Sequence, residues 1–206
     1  LLIMNRVVLF LALLCLIAAT SCRKPVEEIP DPVAESSLAR TIVLSNQSNL
    51  VKEALYINTA QLKVNAGVDA GQLFFFFDAT PSADNSTGDA LLLTINASHL
   101  ETGLVNTFTF DQATATSLHA RYVYAVRNSS GDAWSSITDS RFGVVFEGKL
   151  IVTAYDAKRK LISGLYEIKA KNLINDPTVR SVGAPIDPLN QCDLTIRGSF
   201  KHVKLP

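Results

Sequence analysis

The chain has 206 residues, with 19 Lys and Arg against 19 Asp and Glu, and 48% of its residues are hydrophobic. A net charge of zero gives no electrostatic reason to expect nucleic acid or an acidic membrane surface as a partner. The cysteines are Cys15, Cys22 and Cys192. The first lies in an apolar run and the second three residues beyond its end, so the rest of the chain keeps one thiol and no internal disulfide.

Met4-Asn5-Arg6 opens the N-terminal signal, and an unbroken apolar run follows over residues 7–19. A spanning helix needs roughly 20 apolar residues, so a positive charge and this shorter run describe a signal peptide. The run ends Ala19-Thr20-Ser21-Cys22. Small residues just ahead of a cysteine fit lipoprotein signal peptidase, with Ala19 where leucine is usual, and the thiol of Cys22 then receives the lipid. Ordinary secretory cleavage after Ser21 is the alternative. The reading is therefore a signal peptide over 1–21, a lipidated Cys22 with a flexible linker over 22–40, and a domain over 41–206.

The linker opens Arg23-Lys24-Pro25-Val26-Glu27-Glu28-Ile29-Pro30-Asp31-Pro32, an extended, solvated composition. Its lysine-plus-acidic stretch partly resembles the sorting signal that sends Bacteroidetes lipoproteins to the cell surface. A plain solvated tether is the competing reading.

Beyond the linker the pattern has period two, as expected of strands with one face buried. Residues 49–55 alone read as a short helix. Ala60, Leu62 and Val64 interleave with polar neighbours, and the glycine-bounded turn 67–71 leads to 72–77, a hairpin. Phe74-Phe75-Phe76-Phe77 predicts a strand buried on both faces, or covered on one by a neighbouring segment. After a polar loop at 81–88, Leu91, Leu93 and Ile95 share one face. Leu104, Phe108 and Phe110 share another, and Tyr122, Tyr124 and Val126 read as core positions of a further strand. Phe146, Leu150 and Val152 oppose Glu147, Lys149 and Thr153. A charged turn at 156–160 then leads to Tyr166, Ile168 and Ala170. Residues 172–191 form a proline-marked loop, and the last strand aligns Cys192, Leu194, Ile196 and Phe200. Many short strands separated by turns predict an all-β antiparallel sandwich or barrel.

Three late segments carry a likeness: residues 150–156, then Ile162-Ser163-Gly164-Leu165-Tyr166-Glu167-Ile168-Lys169-Ala170, then Ile196-Arg197-Gly198-Ser199-Phe200-Lys201-His202-Val203. About a third of the chain thereby resembles small Bacteroidetes lipoproteins of uncharacterised function, the DUF6252-like kind. The resemblance implies a β core and an envelope address, and no activity. Gly164 and Gly198 have a physical reading of their own, as strand positions where close packing leaves no room for a side chain.

Chemistry is sparse. His99, His119 and His202 show no catalytic spacing to Cys192, and Cys192 shares its face with Leu194 and Ile196, which predicts a buried, inert thiol. No Cys-x-x-Cys or His-x-x-x-His occurs. Asp84 and Asp89, with the polar residues between them, offer oxygen donors for calcium, but the spacing is not that of an EF-hand and a turn is the simpler reading. Gly-x-Ser-x-Gly and phosphate-cradling glycine loops are missing. Trp134, expected in a polar loop at 130–136, is the one candidate ligand-binding side chain: exposed it would stack on a sugar, buried it would fill core.

The sequence thus predicts a membrane-anchored, non-enzymatic binding or accessory module at the cell envelope, for a glycan or protein ligand, with no cofactor and no nucleic acid. Its address is the outer membrane, lipid-anchored, on the cell surface ahead of the periplasmic face. A periplasm-facing structural component is the second reading, and a hydrolase with an unrecognised carboxylate pair the third.

Overall fold

Alternating side chains make a strand amphipathic, and two such sheets bury their apolar faces against each other. The computed structural model describes residues 30–45, 50–57, 60–79, 86–96, 103–110, 118–127, 130, 133–179 and 191–206. The expected signal peptide at 1–21, Cys22, the expected linker to residue 29, Asp84, His99 and residues 180–190 lie outside them. Eleven strands are formed among the described residues: β1 (Glu35–Leu44), β2 (Val51–Tyr56), β3 (Lys63–Asp69), β4 (Gln72–Ala79), β5 (Ser86–Asn96), β6 (Thr107–Thr109), β7 (Leu118–Arg127), β8 (Ala133–Asp139), β9 (Phe146–Asp156), β10 (Leu161–Leu173) and β11 (Cys192–Lys204).

They build two antiparallel sheets, ordered β2-β1-β11-β10-β9-β6 and β3-β4-β5-β7-β8. The expected all-β, sandwich-like class is the fold observed. Phe75 and Phe77 of β4 are fully buried, and their rings meet Phe200 of β11 at 4.8 Å and Tyr166 of β10 at 4.5 Å. Burying each such ring contributes about 2–3 kcal/mol. Phe74 and Phe76 point the other way and are only half-buried, so the four phenylalanines divide between core and outer face by strand parity.

The two glycines singled out from the sequence sit where the core is tightest. A methyl group on Gly198 would strike the backbone oxygen of Ser37 and the phenol of Tyr166, and one on Gly164 would lie 2.6 Å from the Phe200 ring. Further along β11, His202 has a φ of +54° where the pairing with β10 slips register. This bulge reverses the parity of the strand, so Val203 is buried after Phe200.

Four expectations are corrected. Residues 51–56 form strand β2, not a helix, because each of Val51 to Tyr56 finds a partner on β1. The hairpin turn within 67–71 shrinks to Ala70-Gly71, with φ of +46° and +76°, since Gly67 to Asp69 still pair with β4. β5 claims residues 86–88 from the expected polar loop, pairing them with β7. The first sheet claims Glu35 to Arg40 from the expected linker, through pairing with β11.

Candidate functional site

On the inward face of β1 the apolar series Leu38, Ile42, Leu44 is interrupted by Arg40, which is 7% exposed. On the inward face of β5, Asp89 precedes Leu91, Leu93 and Ile95 and is fully buried. An unpaired charge in such surroundings is costly, and the fold answers it by bringing the two together. Arg40 Nε lies 3.0 Å from Asp89 Oδ1. The approach is close enough for an ion pair but too bent for a linear hydrogen bond, and Nη1 has no hydrogen-bond partner either. The guanidinium carbon instead sits 5.5 Å from the ring centroid of Tyr124, a cation–π contact.

Asp89 is saturated from two further sides. Tyr56 of β2 donates to Oδ2 at 2.8 Å, and Tyr122 of β7 donates to Oδ1 through a short hydrogen bond. Burial and the neighbouring Asp89 carboxylate push both phenols well above their ordinary pKa, so they remain donors. Burial works against the charge on Arg40, and Asp89 more than restores it. With its oxygens occupied by two phenols and a guanidinium, Asp89 is a bolt between the sheets and is not available as a base.

The other buried carboxylates are also committed. Asp176 holds the turn after β10 against β2: Lys52 donates to it at 2.6 Å, and Thr178 donates from its backbone nitrogen at 2.8 Å and its hydroxyl at 2.7 Å. Burial raises the Asp176 pKa, but these donors outweigh it and leave the carboxyl below its usual range. Asp139 caps the 3-10 turn Ser140–Phe142, accepting from the Arg141 backbone at 2.8 Å and from its guanidinium at 2.7 Å. That guanidinium hydrogen bond is the main reason its pKa is lowered.

A different setting appears on the outer face of the first sheet. Ala39 of β1 lies opposite Leu55 of β2 on one side and Arg197 of β11 on the other, while Thr41 lies opposite Glu53. Short side chains flanked by longer ones leave a trough, and these residues line a groove of about 350 Å³, within the ordinary size range of ligand pockets. Glu53 and Leu55 border it on one strand and Arg197 on another. Opposite charges and an apolar wall can receive an uncharged polar ligand or an extended peptide.

The residues named from sequence are dispersed. Asp89 is no loop ligand for calcium: it lies inside strand β5, in the bolt. Trp134 is in strand β8 and not in a loop; it pairs with Val126 and is half-buried, with its ring 5.9 Å from that of Tyr124. Cys192 is fully buried, donates towards the Asn175 carbonyl at 3.7 Å, and is pushed up to about 12 by burial and then by Asp176 and Asp193. His202 lies at the other end of the same strand, about 30 Å away at the usual rise per residue. His119 is on β7, opposite Thr94. Neither histidine can serve the thiol as a base.

Sequence reading missed Arg40, Tyr56 and the groove. The available signal for the bolt was a charge at an inward position of two otherwise apolar alternations, in 38–44 and in 89–95. No protein-family model, curated protein or solved structure matches the chain.

Proposed function

We propose that this chain is a lipid-anchored envelope lipoprotein, held through Cys22 at the outer membrane, whose sandwich is a non-enzymatic binding or accessory module. The observation that carries the binding role is the groove bordered by Glu53, Leu55 and Arg197, a concave, mixed-polarity feature on an exposed sheet face. Its ligand class is a glycan or an extended peptide, displayed to it at the cell surface. The non-enzymatic part is supported by the commitments of Asp89, Asp139 and Asp176 and by the sealed thiol of Cys192. Kinship with the DUF6252-like lipoproteins belongs to the same proposal and rests on β9, β10 and β11.

Two experiments test the two halves. Cys22→Ala abolishes palmitate labelling and releases the protein from membranes; unchanged labelling would sink the anchor. Arg197→Ala and Glu53→Ala, both at exposed positions, weaken binding in a glycan and peptide array while leaving the melting temperature within about 2 °C. Array signals identical to those of the unaltered protein would remove the groove from the account.

A further inference from the structure

The chain is neutral as a whole, yet its cations are unevenly placed. β1 enters the first sheet at Glu35, opposite Lys201 of β11. β10 runs back along β11 with Leu161 opposite Lys204. The turn between β9 and β10 therefore lies at the end of the sheet where the N-terminal tether joins it. That turn presents Lys158, Arg159 and Lys160, the two lysines exposed and the arginine half-buried.

Among the described residues, Asp156 and Glu35 at this end are already engaged. Asp156 Oδ1 accepts the backbone N–H groups of Lys158 and Arg159, each at 3.0 Å, and Glu35 is taken by Lys201 at 3.0 Å. Lys160 donates to the backbone oxygen of Pro206, the last residue, at 3.0 Å. None of the ion pairs among the described residues involves Lys158, Arg159 or Lys160. The opposite end differs: there Lys171 meets Glu147 at 2.9 Å and Lys52 meets Asp176 at 2.6 Å.

We propose that the end of the sheet carrying Lys158, Arg159 and Lys160 is the membrane-facing surface, docking on the phosphate-bearing headgroups of an anionic bilayer. The proposal rests on the lipid anchor at Cys22. Residues 23–34 reach at most about 40 Å fully extended, so an anchor keeps this turn close to the bilayer at high effective concentration. A basic side chain near an anionic surface adds roughly fivefold in partitioning, an effect that decays within a Debye length of about 8–10 Å. Local placement therefore governs it, and the zero net charge that argued against an acidic membrane partner does not.

The test uses the lipidated chain in vesicles of phosphatidylcholine with or without phosphatidylglycerol. A fluorophore is placed on Ala157→Cys in the turn or on Lys171→Cys at the far end, Cys22 being acylated and Cys192 buried. A headgroup-attached quencher is expected to quench the label at 157 severalfold more than that at 171, and only in the anionic vesicles. Lys158→Glu with Lys160→Asn brings the label at 157 down to the level of 171 while cosedimentation and melting temperature stay unchanged. Equal quenching at both positions, or quenching indifferent to the double variant, overturns the docking surface and leaves the anchor standing. Loss of the contact on adding inorganic phosphate, but not on adding sodium chloride to the same ionic strength, overturns the commitment to a bilayer. A chain that does not cosediment at all lacks the anchor, and both proposals fall together.

Discussion

Arg40 of β1 and Asp89 of β5 meet across the interior at 3.0 Å, one from each sheet, so a single ion pair ties the two layers of the sandwich together. Removing one partner leaves the other buried and unmatched, which costs about 3–5 kcal/mol. Asp89→Asn and Arg40→Met are each expected to lower the melting temperature by roughly 10 °C. The pair Arg40→Met with Asp89→Leu is expected to recover much of that loss, although Tyr56 and Tyr122 then lose their acceptor. Thermal melts of these variants and of Asp89→Leu alone check this; losses in the double variant equal to the sum of Arg40→Met and Asp89→Leu would show that the pair is not coupled.

Gly198 leaves room for Tyr166, whose hydroxyl donates to the Ser37 carbonyl at 3.0 Å. Gly198→Ala places a methyl group against that carbonyl and that hydroxyl, and backbone cannot yield as a flexible side chain would. A loss of about 2–3 kcal/mol is expected from overpacking, read as a lower midpoint in urea with an unchanged slope. An unaffected midpoint would mean that β1 and β11 can part locally at no cost.

Ala70 works in the opposite direction. It occupies the first turn position of the β3–β4 hairpin with a φ of +46°, and Gly71 follows at +76°. Such turns favour Asn-Gly, and a left-handed conformation costs an L-residue about 1–2 kcal/mol. Ala70→Asn is expected to raise stability by about 1 kcal/mol. A lower melting temperature for this variant would contradict the turn geometry.

The pH dependence follows from Asp139 and Asp176. Their pKa values are lowered in the folded state, chiefly by Arg141 for the first, and for the second by Lys52 and Thr178 acting against burial. A lowered carboxyl pKa contributes stability above the unfolded value, near pH 4 for aspartate, and loses it as pH falls through the folded one. The melting temperature is expected to drop progressively below about pH 4. Asp176→Asn is expected to begin lower at neutral pH and to lose less on acidification. Parallel pH profiles for the variant and the parent would remove Asp176 as a source.

Cys192 supplies a chemical check on burial. With its pKa pushed up to about 12, it is expected to resist thiol reagents at pH 8 in the folded protein and to react stoichiometrically once urea unfolds it. Rapid labelling of the native chain would place the thiol at the surface.

Much of this architecture was legible because parity is a strong signal wherever one face is buried. The series 91–95, 166–170 and 192–200 gave their inward residues correctly, and Gly164 and Gly198 were recognised as packing glycines. β2 misled because Lys52, Glu53, Ala54 and Leu55 are good helix formers; pairing with β1 overrides that preference, and only the folded chain supplies the partner. The bolt was hidden for a related reason. Arg40, Tyr56, Asp89 and Tyr122 are scattered along the sequence, and their association depends on how the two sheets are superposed. The groove is subtler still, because it exists only through the difference in height between Ala39 and its neighbours on β2 and β11.

Protease shaving of intact cells, with a periplasmic protein as internal control and Cys22→Ala run alongside, tests the central claim most directly. The account predicts digestion of the domain while the control survives, and loss of that cell-associated pool in the Cys22→Ala strain. Protection of the domain until the outer membrane is broken would contradict display at the surface.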